Sequence, residues 1–211
     1  MKAFFIDRYS KKDPMRLGDM PEPELRDDDV LIEIHAAGLN LLDSKIKSGE
    51  FKLILPYRLP LVLGHDVAGV VTKIGSRVRQ FKVGDEVYSR PPDHRIGTFA
   101  EFIAVNERDV APKPKNLTME EAASIPLVSL TVWQALVERA HLKKGQKVFI
   151  QAGSGGGHLS HSTGQAYRGH GSHHHKQRQR RPGKEPRSRY RHRLQERRFR
   201  ESSAELRCGP A

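Results

Sequence analysis

The sequence predicts an irregular β-barrel, then the opening helix and first strand of an incomplete α/β unit, then a basic tail without regular structure. Three observations carry this expectation. Short apolar segments separated by Gly, Pro and Asp turns fill the first 115 residues. A capped helical period replaces them at Thr118. At the Gly155-Gly156-Gly157 run the composition itself changes kind.

The elements follow in order. Lys2–Ile6 and Val30–Ala37 read as strands, the second with Val30, Ile32 and Ile34 on one face. Between them lies a charged, Pro-punctuated loop, DMPEPELRDDD. Val67–Ile74 is a further strand, and Gly69 inside it signals a bulge or a close backbone approach. Val83-Gly84-Asp85-Glu86-Val87 places a turn before a strand, and Thr98–Val105 reads as another. Thr118-x-x-Glu121 is a capping box, and Pro126–Ala140 is a helical run in which Trp133 is expected to pack in the core. Lys147–Gln151 reads as a buried strand entering the turn Ala152-Gly153-Ser154-Gly155-Gly156, which is how a dinucleotide-binding unit opens.

The chain has 211 residues, 36% of them hydrophobic, and a mean hydropathy of −0.63. No apolar run is long enough for a spanning helix. The opening MKAFFIDRYSKKD lacks the long apolar region and small-residue cleavage site of a signal peptide, so a cytoplasmic protein is expected. One cysteine, Cys208, excludes an intrachain disulfide and a multi-cysteine zinc site.

The net charge of +12 is unevenly placed. Residues 158–211 hold 14 Lys and Arg against 4 Glu, which leaves 23 basic against 21 acidic residues upstream. Val, Ile and Asp, numbering 14, 10 and 11 up to Gly157, are absent after it. Two different kinds of sequence are joined there.

Six segments carry a resemblance: AAGLNLLDSKIKSG (Ala36–Gly49), LPLVLGHDVAGVV (Leu59–Val71), FKVGDEVY (Phe81–Tyr88), GTFAEF (Gly97–Phe102), AASIPLVSLTVWQAL (Ala122–Leu136) and GQKVFIQAGSGG (Gly145–Gly156). In order and spacing they resemble the medium-chain dehydrogenase/reductase superfamily, in its zinc-free quinone-reductase-like branch. The resemblance implies a GroES-like catalytic domain over residues 1–115 and the start of a Rossmann nucleotide-binding domain over residues 116–157. It also implies hydride transfer from NADPH to a small quinone or enone acceptor. Intact relatives are often homodimers.

Zinc-dependent relatives hold their metal with Cys, His and Cys and leave one position open. Here only His65 is kept; the other two positions are Asn40 and Leu127. The segment SRPPDHRI (Ser89–Ile96) is too short, and lacks the cysteines, for a structural zinc lobe. No zinc is expected, and His65 is expected to be a hydrogen-bonded structural residue. Without a metal, a hydrogen-bond donor must meet the charge that develops on the acceptor oxygen. The resemblance places Asn40, Asp43, Lys45 and Tyr57 as the catalytic set. It puts Thr131 near the nicotinamide, with Ala152, Gly153, Ser154, Gly155 and Gly156 at the phosphates. The plainer reading makes Asp43 and Lys45 a solvated pair and Tyr57 a cover for one barrel end.

From His158 onward no helical or strand period survives. Three readings compete: a basic arm that binds nucleic acid non-specifically through phosphates, a His-rich metal tract around His173-His174-His175, and a frame-shifted translation. Read one base out of register, the Arg and His codons of the tail yield Val, Ala, Asp, Gly, Thr and Ile. The whole then resembles the family's next helix, strand, helix and strand. The reconstructed turn after its second strand has no acidic residue, which favours NADPH over NADH. On this reading residues 1–115 fold, residues 126–156 are marginal because Val148 and Ile150 lack their covering sheet, the tail is disordered, and the chain as given is inactive.

Overall fold

The structure is a computed structural model; it describes residues 1–143 together with Gln146, Val148 and Phe149. The strands are β1 (Lys2–Ile6), β2 (Arg16–Asp19), β3 (Asp29–Gly38), β4 (Leu61–Val62), β5 (Asp66–Ile74), β6 (Glu86–Ser89), β7 (Phe102–Asn106) and β8 (Val110–Pro112). The helices are α1 (Leu41–Ser48), α2 (Met119–Ala123) and α3 (Pro126–Trp133). All strand pairs are antiparallel. They form a three-stranded sheet, β2-β1-β4, and a five-stranded sheet, β7-β3-β5-β6-β8, that curls into a GroES-like half-barrel.

The alternation of β3 works as expected. Val30 and Ile32 bury completely against Val67, Val71, Val87, Ile103 and Val105, one branched side chain after another, in the core of the larger sheet. Burial of each such side chain contributes about 1.5–3 kcal/mol. Gly69 is where β5 meets β3 most closely, as its place in the sequence suggests. A Cβ there would stand 2.0 Å from the carbonyl oxygen of Glu33. A second cluster, Ile6, Ile46, Leu63 and Phe99, fills the space between the small sheet and α1, with Tyr57 packed against it.

The strand expected over Thr98–Val105 begins only at Phe102. Residues 98–101 pass from one sheet to the other. Phe4 N donates to Phe99 O (2.7 Å) and Glu101 N to Lys2 O (3.1 Å), while Ile34 N donates to Glu101 O (2.8 Å). A segment that serves two sheets in turn cannot keep one regular ladder. Strands β2, β4 and β8 and helix α1 are absent from the sequence reading; the three strands are of two to four residues, too short to show a period.

The capping box forms: Glu121 N donates to Thr118 Oγ1 (3.2 Å) and Thr118 N to Glu121 Oε2 (3.0 Å). Helix α2 lies on the barrel through a small-residue seam of Ala36, Ala68, Ala122 and Ala123. Gly38 belongs to the same seam, since a Cβ there would be 2.5 Å from the carbonyl oxygen of Ala123. The helix expected over Pro126–Ala140 is regular only to Trp133. Residues 134–139 form a wider π turn, closed by Ala140 N donating to Ala135 O at 3.0 Å.

Trp133 is not core. It is 50% exposed, because α3 is apolar on all sides while the barrel covers one, burying Pro126 and Val132. Of the strand expected at Lys147–Gln151, Val148 and Phe149 belong to no regular element and are exposed; the other three residues lie outside the described ones. The expectations for residues 150–211, including the glycine turn and the disordered basic tail, lie outside them too.

Candidate functional site

The site is built where β3 ends, β5 begins and three helices start or stop. Asn40 is the N-cap of α1, and its backbone N–H donates to Asp43 Oδ2 at 2.8 Å. The other carboxylate oxygen of Asp43 lies 2.6 Å from His65 Nδ1. An ionised Asp43 accepts there from Nδ1–H, which leaves Nε2 as the ring nitrogen not engaged by the carboxylate. His65 is fully buried, and Nε2 has no hydrogen-bond partner among the described residues.

Asp66, next along β5, continues the chain of contacts. Its Oδ2 accepts from Asn40 Nδ2 at 2.9 Å and its Oδ1 from the backbone N–H of Leu127 at 2.8 Å. Burial pushes its carboxyl up to about 6; the two hydrogen bonds act against that shift, and the nearby Asp43 charge adds to it. Helix α3 has Ile125 at its N-cap with no side-chain cap of its own. Asp66 therefore caps it from another strand, a negative group on an exposed helix N–H.

The residues expected from sequence separate into two groups. Asn40 and Asp43 are brought together with His65 through direct hydrogen bonds. Asp43 is buried against His65 and is not in a solvated pair with Lys45, as the plainer reading had it. The Lys45 ammonium lies 5.9 Å from the Phe51 ring centroid, a cation–π arrangement. Tyr57 stands on the loop after α1, with its hydroxyl buried and unpartnered among the described residues. Its phenol is pushed up to about 12, chiefly by burial, with the Asp93 charge adding to it. Thr131 is exposed on α3, and its hydroxyl donates to Leu127 O at 2.8 Å. It reaches the Asn40 cluster only through its own helix. Ala152, Gly153, Ser154, Gly155 and Gly156 lie outside the described residues.

Asp66 is the residue sequence reasoning missed. Its signal was a carboxylate opening the apolar run Val67–Val71, where a charge is costly to bury. At the two positions for which the resemblance implies thiolate ligands in zinc-dependent relatives, this chain has a primary amide, Asn40, and an apolar side chain, Leu127. Among the described residues no group of three His, Cys, Asp or Glu side chains is arranged to hold a metal ion.

A curled antiparallel half-barrel followed by capped helices, with a buried polar cluster at their junction, is the architecture of a GroES-like domain of the alcohol-dehydrogenase type. Residues 26–115 match the alcohol dehydrogenase GroES-like domain. The chain belongs to the medium-chain dehydrogenase/reductase superfamily, in its quinone-reductase-like branch. It is 41% identical to the 2-methylene-furan-3-one reductase of Solanum lycopersicum, over 74% of this chain and 42% of that one. It is 39% identical to the chloroplastic NADPH-dependent alkenal/one oxidoreductase of Arabidopsis thaliana, over 74% of this chain and 42% of that one. The quinone oxidoreductase of Coxiella burnetii superposes with a TM-score of 0.72 at 35% identity, covering 79% of this chain and 54% of that one. The chain thus spans about half the length of the relatives it matches.

Proposed function

We propose that the chain carries the catalytic half of a zinc-independent, NADPH-dependent oxidoreductase that reduces a small enone or quinone. The carrying observation is the buried chain His65–Asp43–Asn40–Asp66, which fixes the Asn40 amide at the junction of barrel and helices. The alkenal/one oxidoreductase named above, 39% identical, supports both the cofactor and the acceptor class.

NADPH, when bound, would supply a hydride to the acceptor's electrophilic carbon, charge would develop on the acceptor oxygen, and the completing proton would come from water. Asn40 has a second amide N–H beyond the one given to Asp66, and this N–H meets that oxygen. Tyr57 keeps its proton across the neutral range, and its buried hydroxyl has no partner among the described residues to give up, so it is the second donor. Asp43 acts on neither directly; it holds the backbone of Asn40 and the ring of His65 in place. Lys45 contributes positive charge beside the same helix. Thr131 fits a nicotinamide contact, being exposed with its hydroxyl oxygen free to accept while its proton goes to Leu127 O. The phosphates fall to Ala152, Gly153, Ser154, Gly155 and Gly156.

The domain boundaries proposed are 1–115 for the catalytic domain, 116–157 for the start of the nucleotide-binding domain and 158–211 for the tail. The tail is read as a frameshift product, so the chain as given lacks the adenosine half of the cofactor site and is inactive. A cytoplasmic location is our proposal from the opening segment of the sequence; separately, among the described residues no helix is long and apolar enough to cross a membrane. Two measurements test this reading. Resequencing the coding DNA across Gly153–His158 is expected to restore a longer frame with one base added or removed. NADPH fluorescence is expected to be unchanged by the chain as given and quenched by the frame-restored one, which then oxidises NADPH when an enone is added. An unaltered frame, with salt-sensitive nucleic-acid retention that disappears on deleting residues 158–211, points instead to a binding protein with a basic arm.

A further inference from the structure

We propose that Asp66 is the positioning residue of this site: its single carboxylate orients the Asn40 amide and caps α3, so the aim of the amide and the docking of the helix are set together. This rests on the reading of Asn40 as a donor to the acceptor oxygen.

The inventory of donors and acceptors around Asp66 fixes the orientation. Asp66 is 1% exposed, and both of its hydrogen bonds come from neutral donors, Asn40 Nδ2 and the Leu127 N–H. An ionised carboxylate can only accept, so Asn40 must turn its NH2 toward Asp66, which settles the orientation of an otherwise symmetric-looking amide. A protonated carboxyl must donate. Leu127 N–H cannot receive that proton, so the Asn40 amide has to rotate and offer its oxygen, swinging its NH2 away. The same event removes negative charge from the first turn of α3. The titratable groups that act on Asp66 are Asp43 at the start of α1 and His65 beside it on the chain. The Asp66 side chain lies against Gly38: a Cβ there would stand 2.9 Å from Asp66 Cβ and 3.3 Å from its Oδ2, so a side chain at position 38 would displace the carboxylate.

Two probes read the two ends of this linkage in the full 211-residue chain. The side-chain amide signals of Asn40, identified by their loss in Asn40→Asp, are followed by nitrogen–proton NMR from about pH 4, the ordinary carboxyl value, to about pH 8, well above the raised one. Trp133, the one tryptophan of the chain, reports α3 by its emission. Both signals are expected to move with one midpoint near 6, and both to become flat in Asp66→Asn. A wild-type amide that does not titrate overturns the proposal. A titration surviving in Asp66→Asn overturns it too, by assigning the proton to the Asp43–His65 pair. Should Asp66→Asn fail to fold, the carboxyl carbon of Asp66 is followed in the wild-type chain, and a midpoint different from that of the Asn40 amide overturns the proposal. Neither probe needs cofactor or acceptor, so the role of Asp66 is tested even in a chain that reduces nothing.

Discussion

His65 and Asp43 meet at 2.6 Å, Nδ1 to Oδ1, with both side chains out of contact with water. One nitrogen of the buried imidazole is thus engaged by a carboxylate from α1. Replacing Asp43 by Ala strips the partner from a buried imidazole and removes the acceptor of Asn40 N–H at the same time. A loss of about 2–4 kcal/mol is expected from the two abandoned groups, read by urea denaturation. An unchanged midpoint would mean the contact carries no stability.

Asp29 and Arg95 form a second internal pair. Both guanidinium ends bind the carboxylate, at 2.9 and 2.7 Å, and Arg95 also donates to Ala104 O. The pair anchors the short segment after β6 to the start of β3. Arg95→Ala leaves a buried carboxylate without its guanidinium, with the Arg26 N–H still donating to Oδ2 at 3.2 Å. The substitution is expected to cost on the order of 3 kcal/mol, with Arg95→Lys recovering only part because the fork is lost. The Arg95 guanidinium holds the Asp29 carboxyl below the usual range. Its stabilisation is therefore complete above about pH 4, the unfolded value, and is lost as pH falls through the lower folded one. Acid unfolding of Arg95→Ala should lose that component.

The sign is reversed for Asp66. Its folded carboxyl titrates near 6, above the unfolded value, so between about pH 4 and pH 6 the folded chain binds the extra proton. Stability should fall as pH rises through that window, by roughly 3 kcal/mol at full ionisation. Asp66→Asn should flatten this slope in denaturation measured at several pH values. A rising slope in the wild type over that window would contradict the raised carboxyl.

Gly69 faces the carbonyl of Glu33 so closely that no side chain fits. Because the obstacle is backbone, Gly69→Ala must push β3 and β5 apart through the centre of the larger sheet. A drop of several degrees or more in melting temperature is expected, corresponding to at least about 2 kcal/mol. Gly84, with nothing near its Cβ position, has a positive φ of 93° and should tolerate Asn.

Much of the barrel was legible because its signals are local and periodic. The alternation in Val30–Ala37, the glycine in Val67–Ile74 and the capping box at Thr118 each belong to a few neighbouring residues. Residues 98–101 were misread because their partners come from two sheets, which no local pattern reveals. Trp133 was misplaced for a similar reason: an apolar helix announces that it wants burial, without saying which side the barrel supplies. Within the site, Asn40 and Asp43 could be singled out, whereas Asp66 could not, since its importance lies in joining Asn40, 26 positions before it, to Leu127, 61 positions after it.

The crossing at residues 98–101 has a consequence for how the molecule comes apart. A three-stranded sheet of such short strands is too small to persist alone, and its amide partners at Phe99 and Glu101 belong to the same segment that feeds β7. The two sheets should therefore open as one cooperative unit. Exchange of the Phe4 amide with solvent deuterium should proceed at the free energy of the Ile34 amide, with no earlier fraying of the amino-terminal strand.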